Sequence, residues 1–251
     1  MNPRAGGGDR TDELAAAARA RGVQVHVLAP GDDTAELVRE ADTLGVAGGD
    51  GSLGSLAALA VARDLPFVCI PFGTRNHFAR DAGLPPDPLE ALAAFDGTER
   101  RVDIGRAGER VFLNNVSLGL YAELVHRRER RRRRRDLFAT TRALIKLAAD
   151  RGRTAGFVVD GEPVHAHVVL VANNAYDLDV FDIGERRRLD EGRLHVYVAH
   201  GWRPRTWEER SCTQVTIEHP QAAVDGEPAR FDAPVEFRVE PGALRLLVPA
   251  A

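Results

Sequence analysis

The chain has 251 residues, 34 of them basic and 37 acidic, for a formal net charge of −3. That balance argues against a dedicated nucleic-acid binder, while 44% hydrophobic residues can bury a sizeable core in one large or two modest domains. Cys69 and Cys212 form no metal or redox motif, no apolar run reaches the roughly 18 residues of a membrane helix, and "MNPRAGGGDR" lacks a signal-peptide core, so a cytoplasmic protein is expected.

Helical and extended patterns alternate over the first hundred residues. Thr11 is read as the cap of "DELAAAARARG", and "VQVHVLAP" (Val23–Pro30) alternates as a strand does. Asp33 or Thr34 caps "AELVREA". "TLGVA" (Thr43–Ala47) is a short buried strand, "SLGSLAALAVA" a helix, "PFVCIP" another strand, and "GTRNHFARDAG" opens the next helix. Strands and helices joined by short connections imply a parallel α/β sheet with a Rossmann-like layout. "NPRAGG" resembles a first βα turn with no strand before it, so the first strand is expected to be missing.

From about residue 100 the pattern changes. "RRVDIGRAGERVFLNNVSLG" reads as strand, turn, strand, and "YAELVHRRERRRRRRDLFATTRALIKLAAD" as one long helix. "TAGFVVDGEPVHAHVVLVANN" is a hairpin turning at Asp160–Gly161. "RLHVYVAHG", "TQVTIEHP", "PVEFRVEPG" and "ALRLLVP" are further extended segments. Trp202 and Trp207 flank "RPRT" in an expected loop. Two domains follow: an α/β unit over 1–100 and a β-rich unit with one long helix over 101–240.

The stretch "VAGGDGSLGS" (Val46–Ser55) places Gly48, Gly49 and Gly51 around Asp50, between a strand and a helix. Such a turn lets a phosphate approach bare backbone at a positive helix end. "PFGTRNHFAR" (Pro71–Arg80) repeats the design one strand later with Gly73 and Thr74. Gly49 is expected at positive φ. There is no G-x-x-x-x-G-K-[ST] and no G-x-G-x-x-G after a strand, which excludes the P-loop and the usual dinucleotide fingerprint.

"GGDGS" followed by "PFGTRNHFAR" resembles the diacylglycerol kinase catalytic-domain family of lipid kinases. The likeness continues through "VDIG", "FLNNVSLG" and a late "VDGEP", from "NPRAG" to "LRLLVP". It implies an ATP-binding α/β domain, a β-sandwich-like domain, an active site between them and a last strand, about 241–251, that returns to the first domain. Carried over by position, Asn2 to Gly6 border the nucleotide. Gly48, Gly49, Asp50, Gly51 and Ser52 hold its phosphates with Gly73 and Thr74, and Asp225 takes a proton from the lipid hydroxyl. Asp50 is the candidate ligand of a catalytic Mg²⁺. A structural Mg²⁺ loop of some bacterial members has its counterpart at Glu191.

The chain also departs from the family pattern. His77 replaces a carboxylate, Gly54 and Ser55 replace Asn-Glu, and Leu28 falls near a threonine position. The resemblance implies an ATP- and Mg²⁺-dependent kinase acting on a diacylglycerol or related lipid. Its rivals are a sphingoid-base or NAD kinase, and a nucleotide- or lipid-binding module without turnover. Eight arginines in His126–Arg135, broken only by Glu129, are read either as a solvated helix face or as a contact with anionic lipid at the inner membrane face through Arg127–Arg135. No nucleic-acid partner is expected, and an oligomer is compatible with the sequence.

Overall fold

The computed structural model describes residues 1–2, 8–119, 154–177, 184–201, 207–232 and 234–250. The expected long helix, the Arg127–Arg135 run, Gly6 and Trp202 lie outside these residues. The chain divides into two units, Met1–Asp103 with Gly242–Ala251, and Ile104–Pro241.

In the first unit, helix α1 (Gly8–Ala20) begins three residues before the expected cap. Thr11 is not its cap but part of a buried stripe with Leu14, Ala15 and Ala18. These positions share one face of a helix, so burial decides which way Thr11 points. Helix α2 (Thr34–Leu37) is capped by Asp33, whose Oδ1 accepts the Ala35 and Glu36 N–H groups at 2.9 and 3.3 Å. Strand β1 (Leu44–Gly48) runs into helix α3 (Asp50–Ala62), and β2 (Phe67–Pro71) leads to the short helix α4 (His77–Asp81). Helix α5 (Pro88–Ala91) and a 3₁₀ turn (Leu92–Asp96) follow.

β1 and β2 pair in parallel from Leu44↔Phe67 to Gly48↔Pro71. Every residue of β2 is buried, as suits a parallel strand covered on both faces. Phe67 is fully buried, and its truncation to Ala would cost about 3–5 kcal/mol. The other neighbour of β2 comes from the far end of the chain, with Leu246↔Phe67 and Leu247↔Val68 also parallel.

Val23–Pro30 forms no strand. The Met1 ammonium donates to His26 O at 2.7 Å, and Leu28 N–H donates to Met1 O at 2.9 Å. Asn2 N–H then donates to Ala47 O at 2.9 Å. The two residues at the start of the chain thus lie between this stretch and β1. Two bonds to Met1 are too few for a ladder, which is why an alternating pattern stays unassigned.

The second unit is antiparallel. Strand β3 (Thr98–Ala107) enters it and turns into β4 (Arg110–Phe112). Then come β5 (Asn115–Gly119), β6 (Ala155–Val159), β7 (Glu162–Ala166), β8 (Val168–Asn173) and β9 (Leu194–Ala199). The order ends with β10 (Trp207–Cys212), β11 (Gln214–Glu218), β12 (Gln221–Val224), β13 (Glu227–Arg230) and β14 (Val235–Val248). One sheet has the order β10-β9-β8-β5-β12-β13. Facing it are β7, β6, β11 and the first residues of β14. Val116, Val169 and Val196 of the first sheet pack with Phe157, Ile217 and Phe237 of the second, which makes a sandwich core.

Two segments differ from the sequence reading. "PVEFRVEPG" and "ALRLLVP" are one continuous β14, with Gly242 at φ +57° just after Pro241 absorbing the bend. Trp207 opens β10 rather than closing a loop, because its ring packs on Leu170, Ala172 and Tyr197.

Candidate functional site

Gly48 ends β1 and Gly49 precedes α3 at φ −93°, ψ 174°, an extended backbone open to any residue. The expected positive φ is therefore absent, and a Cβ on Gly49 would meet only Gly73 Cα, at 3.4 Å, so space calls for glycine at Gly73 and Gly48 rather than at Gly49. A Cβ on Gly73 would stand 2.5 Å from Gly49 Cα, and one on Gly48 would stand 3.0 Å from Ser52 Cβ. The two glycine turns lie backbone against backbone, and Phe72 N–H donates to Gly48 O at 3.1 Å. Gly49 offers no side-chain cap to the 13-residue helix α3, so its first N–H groups and positive end suit an anion. Gly51 and Thr74 are exposed, and Asn2 Nδ2 donates to Ser52 Oγ at 2.8 Å.

Asp50 turns inward. Its Oδ2 accepts His77 N–H at 3.1 Å, its Oδ1 accepts Phe78 N–H at 3.0 Å, and His77 Nδ1 lies 3.4 Å from Oδ2. Burial alone would raise its pKa, but the His77 side chain and these backbone N–H groups hold it down to about 2. Asp50 thereby ties the start of α3 to the start of α4. Among the described residues no group of three or more His, Cys, Asp or Glu side chains is gathered to hold a metal ion. One carboxylate with both oxygens taken by N–H groups, beside an imidazole, does not fit direct Mg²⁺ ligation.

The sequence reading passed over Asn76. Its Oδ1 accepts Gly73 N–H at 2.8 Å and its Nδ2 donates to Gly73 O at 2.9 Å, so one amide clamps the second turn. The signal was present in "GTRN", since an asparagine tolerates the φ of +50° observed there.

In the second unit Asp225 and Gly226 turn the β12–β13 hairpin at φ +47° and +84°. The Asp225 carboxylate accepts Leu113 N–H at 2.8 Å on Oδ2, and Asn114 and Asn115 N–H at 2.8 and 3.0 Å on Oδ1. Its own N–H donates to Asn115 O at 2.9 Å. Asp160 and Gly161 turn the β6–β7 hairpin in the same way, at φ +49° and +86°. Asp160 N–H donates to Thr216 O, and Asp160 Oδ1 accepts Thr216 N–H, both at 2.8 Å. The two Asp-Gly-Glu-Pro segments are thus twin turns. They differ in their surroundings: Asp160 pairs with the exposed Arg210, while Asp225 sits on three consecutive N–H groups.

Polar side chains collect behind Asp225. Arg186, Asn114, Asn173 and Asn174 are all buried. Asn115 Nδ2 donates to Tyr176 Oη at 2.9 Å. Glu191 Oε2 accepts Ala175 N–H at 3.1 Å and lies 3.0 Å from His195 Nε2, while Glu191 N–H donates to Asn174 Oδ1 at 2.8 Å. None of Arg186, Asn114, Asn173 or Tyr176 was singled out from the sequence. Nothing in "RRRLDEGRL" tells a buried arginine from its exposed neighbours Arg187 and Arg188.

Residues 1–107 match the family described as diacylglycerol kinase catalytic domain. A Pseudomonas fluorescens protein named probable lipid kinase YegS-like is 35% identical over 125 residues, 45% of this chain and 42% of that protein. A protein of the same name from Pseudomonas aeruginosa is 40% identical over 106 residues, 39% of this chain and 35% of that one. Each of these matches spans less than half of the relative's length. Another, from Pseudomonas syringae pv. syringae, is 29% identical over 257 residues, 87% of this chain and 81% of the relative. The fold is similar to the crystal structure of a diacylglycerol kinase from Bacillus anthracis str. Sterne, with a TM-score of 0.71 at 20% identity, covering 98% of this chain and 94% of that one.

Proposed function

We propose that this protein is a lipid kinase that transfers the terminal phosphoryl group of ATP to a hydroxyl of diacylglycerol or a related lipid, a reading supported by the match of residues 1–107 to the diacylglycerol kinase catalytic domain family. The lipid oxygen forms a bond to the γ-phosphorus, the bond from that phosphorus to the bridging oxygen breaks, and ADP leaves with the electron pair. Asp225 takes the hydroxyl proton. The paired glycine turns hold the phosphates, with Ser52 and Thr74 adding hydroxyls and Asn2 bordering the nucleotide. Magnesium is assigned to the ATP phosphates rather than to a protein cage, since Asp50 is engaged with α4.

The observation that carries this reading is the contact of Gly49 with Gly73, which sets two bare turns side by side at the start of α3. The test is incubation with γ-labelled ATP and magnesium against diacylglycerol, a sphingoid base and NAD. Mass spectrometry then identifies the product. Label in a phosphorylated lipid supports the proposal, and label in NAD alone overturns it.

One observation favours a second reading, a nucleotide or lipid binder without turnover. His77 stands where the family pattern keeps a carboxylate, and its ring faces Asp50. ATP binding with no transfer to any acceptor would support it. Among the described residues no helix is long and apolar enough to cross a membrane. We assign access to the lipid to peripheral contact of Arg127–Arg135 with anionic head groups at the inner face of the membrane.

A further inference from the structure

We propose that Arg186 is a positioning residue for Asp225, acting through the backbone of Leu113–Asn115. Arg186 is only 2% exposed. Its Nη1 donates to Leu113 O at 2.6 Å and to Asn173 O at 3.0 Å, and its Nη2 donates to Asn114 Oδ1 at 2.5 Å. The Leu113 carbonyl and the Asn114 N–H belong to one planar peptide unit. Arg186 therefore holds the oxygen end of the same plane whose hydrogen end Asp225 accepts. The guanidinium also lies 5.5 Å over the Tyr176 ring, and Tyr176 Oη takes the Asn115 side chain. Each of the three residues that donate to Asp225 is thus reached from Arg186, directly or through Tyr176.

The planar, five-donor guanidinium of Arg186 satisfies two carbonyls and an amide oxygen from one buried point. The twin turn supplies the contrast. Asp160 is held by Arg210, which is 57% exposed and bonds the carboxylate itself. A hairpin of this type therefore forms without a buried arginine behind it. The cation beneath Leu113–Asn115 serves the aim of the Asp225 carboxylate and not the turn.

This inference rests on the reading of Asp225 as base, and the test separates the two. Arg186→Met should lower kcat on the order of 10- to 100-fold while KM for ATP stays within about twofold. Amide hydrogen exchange at Leu113, Asn114 and Asn115 should speed up by about tenfold or more, while exchange at Thr216 of the twin turn stays as in the wild type. General loosening of the sandwich would move both sets. Arg186→Lys and Asn114→Ala, which keep the charge and the backbone N–H respectively, are expected to give intermediate effects, and they carry the test if Arg186→Met does not fold. Wild-type kcat and wild-type exchange at 113–115 in these folded variants would overturn the proposal. If Asp225→Asn is inactive while they stay active, only the positioning role falls. If Asp225→Asn is fully active, the base reading falls and takes this role with it.

Discussion

Gly73 and Gly49 touch through their backbones: any Cβ on Gly73 would lie 2.5 Å from Gly49 Cα and 2.9 Å from the Asn76 Oδ1 that clamps the turn. Neither obstacle is the free end of a flexible chain, so one methyl group must push the two turns apart. Gly73→Ala is expected to lower ATP affinity at least about tenfold and stability by about 1–3 kcal/mol. Gly156→Ala is the control, since its Cβ meets nothing within 4 Å. Titration calorimetry and thermal melting read the two effects. Unchanged ATP affinity in folded Gly73→Ala would detach these turns from the nucleotide.

Asp50 gives the first unit a dependence on acid. Its folded pKa, about 2, lies below its ordinary 3.8. A depressed carboxyl stabilises the fold above its unfolded pKa, and that contribution is lost as pH falls from about 4 through about 2. With the side chain only 11% exposed, the contribution at neutral pH is about 2 kcal/mol. Asp50→Asn should lower the midpoint of urea unfolding at pH 7 and differ much less from the wild type at pH 2. Equal losses at both pH values would contradict the assigned cause.

The twin turns provide a paired experiment on the proposed base, Asp225. Asp225→Asn should reduce lipid phosphorylation by a factor on the order of 100, the usual scale for a general base, with ATP binding preserved. Asp160→Asn, which keeps the same turn chemistry beside Thr216, should stay close to wild-type activity. Equal losses in the two variants, measured as initial rates, would show that the hairpins matter only as hairpins.

The arginine run predicts a salt effect. Replacing Arg130 to Arg135 with Gln should weaken co-sedimentation with anionic vesicles and flatten its dependence on ionic strength, because exposed charges are screened beyond roughly 10 Å at 0.1 M salt. Neutral vesicles should not tell the two proteins apart. Identical binding to anionic vesicles at low salt would leave the run a solvated face.

The sequence shows most where local chemistry and tertiary context agree. β1 and β2 were legible because their apolar runs lead into glycine turns, and the Asp160–Gly161 hairpin because that pair supplies two positive φ values at once. Val23–Pro30 alternates correctly yet forms no strand, since a ladder needs a neighbour that periodicity within the segment does not report. Thr11 has the chemistry of a cap, but a buried stripe claimed it. At the candidate site, the glycines stood out because bare backbone is rare and clustered. Arg186, Asn114, Asn173 and Tyr176 did not, because their roles come from partners up to 73 residues away in the chain.

Phe67 pairs with Val46's strand on one side and with Leu246 on the other. On a ribosome the first partner has already been made when Phe67 emerges, and the second follows only after roughly 180 more residues. At about 5–20 residues per second, β2 waits on the order of 10 to 40 s with one edge uncovered. The first unit therefore cannot close before the whole β-rich unit has been made. A bare, fully apolar edge strand during that interval is a template for pairing with other chains. The return of β14 thus turns a question of topology into one of timing, in which slow synthesis or an early stop would expose β2 to aggregation before any ligand could be bound.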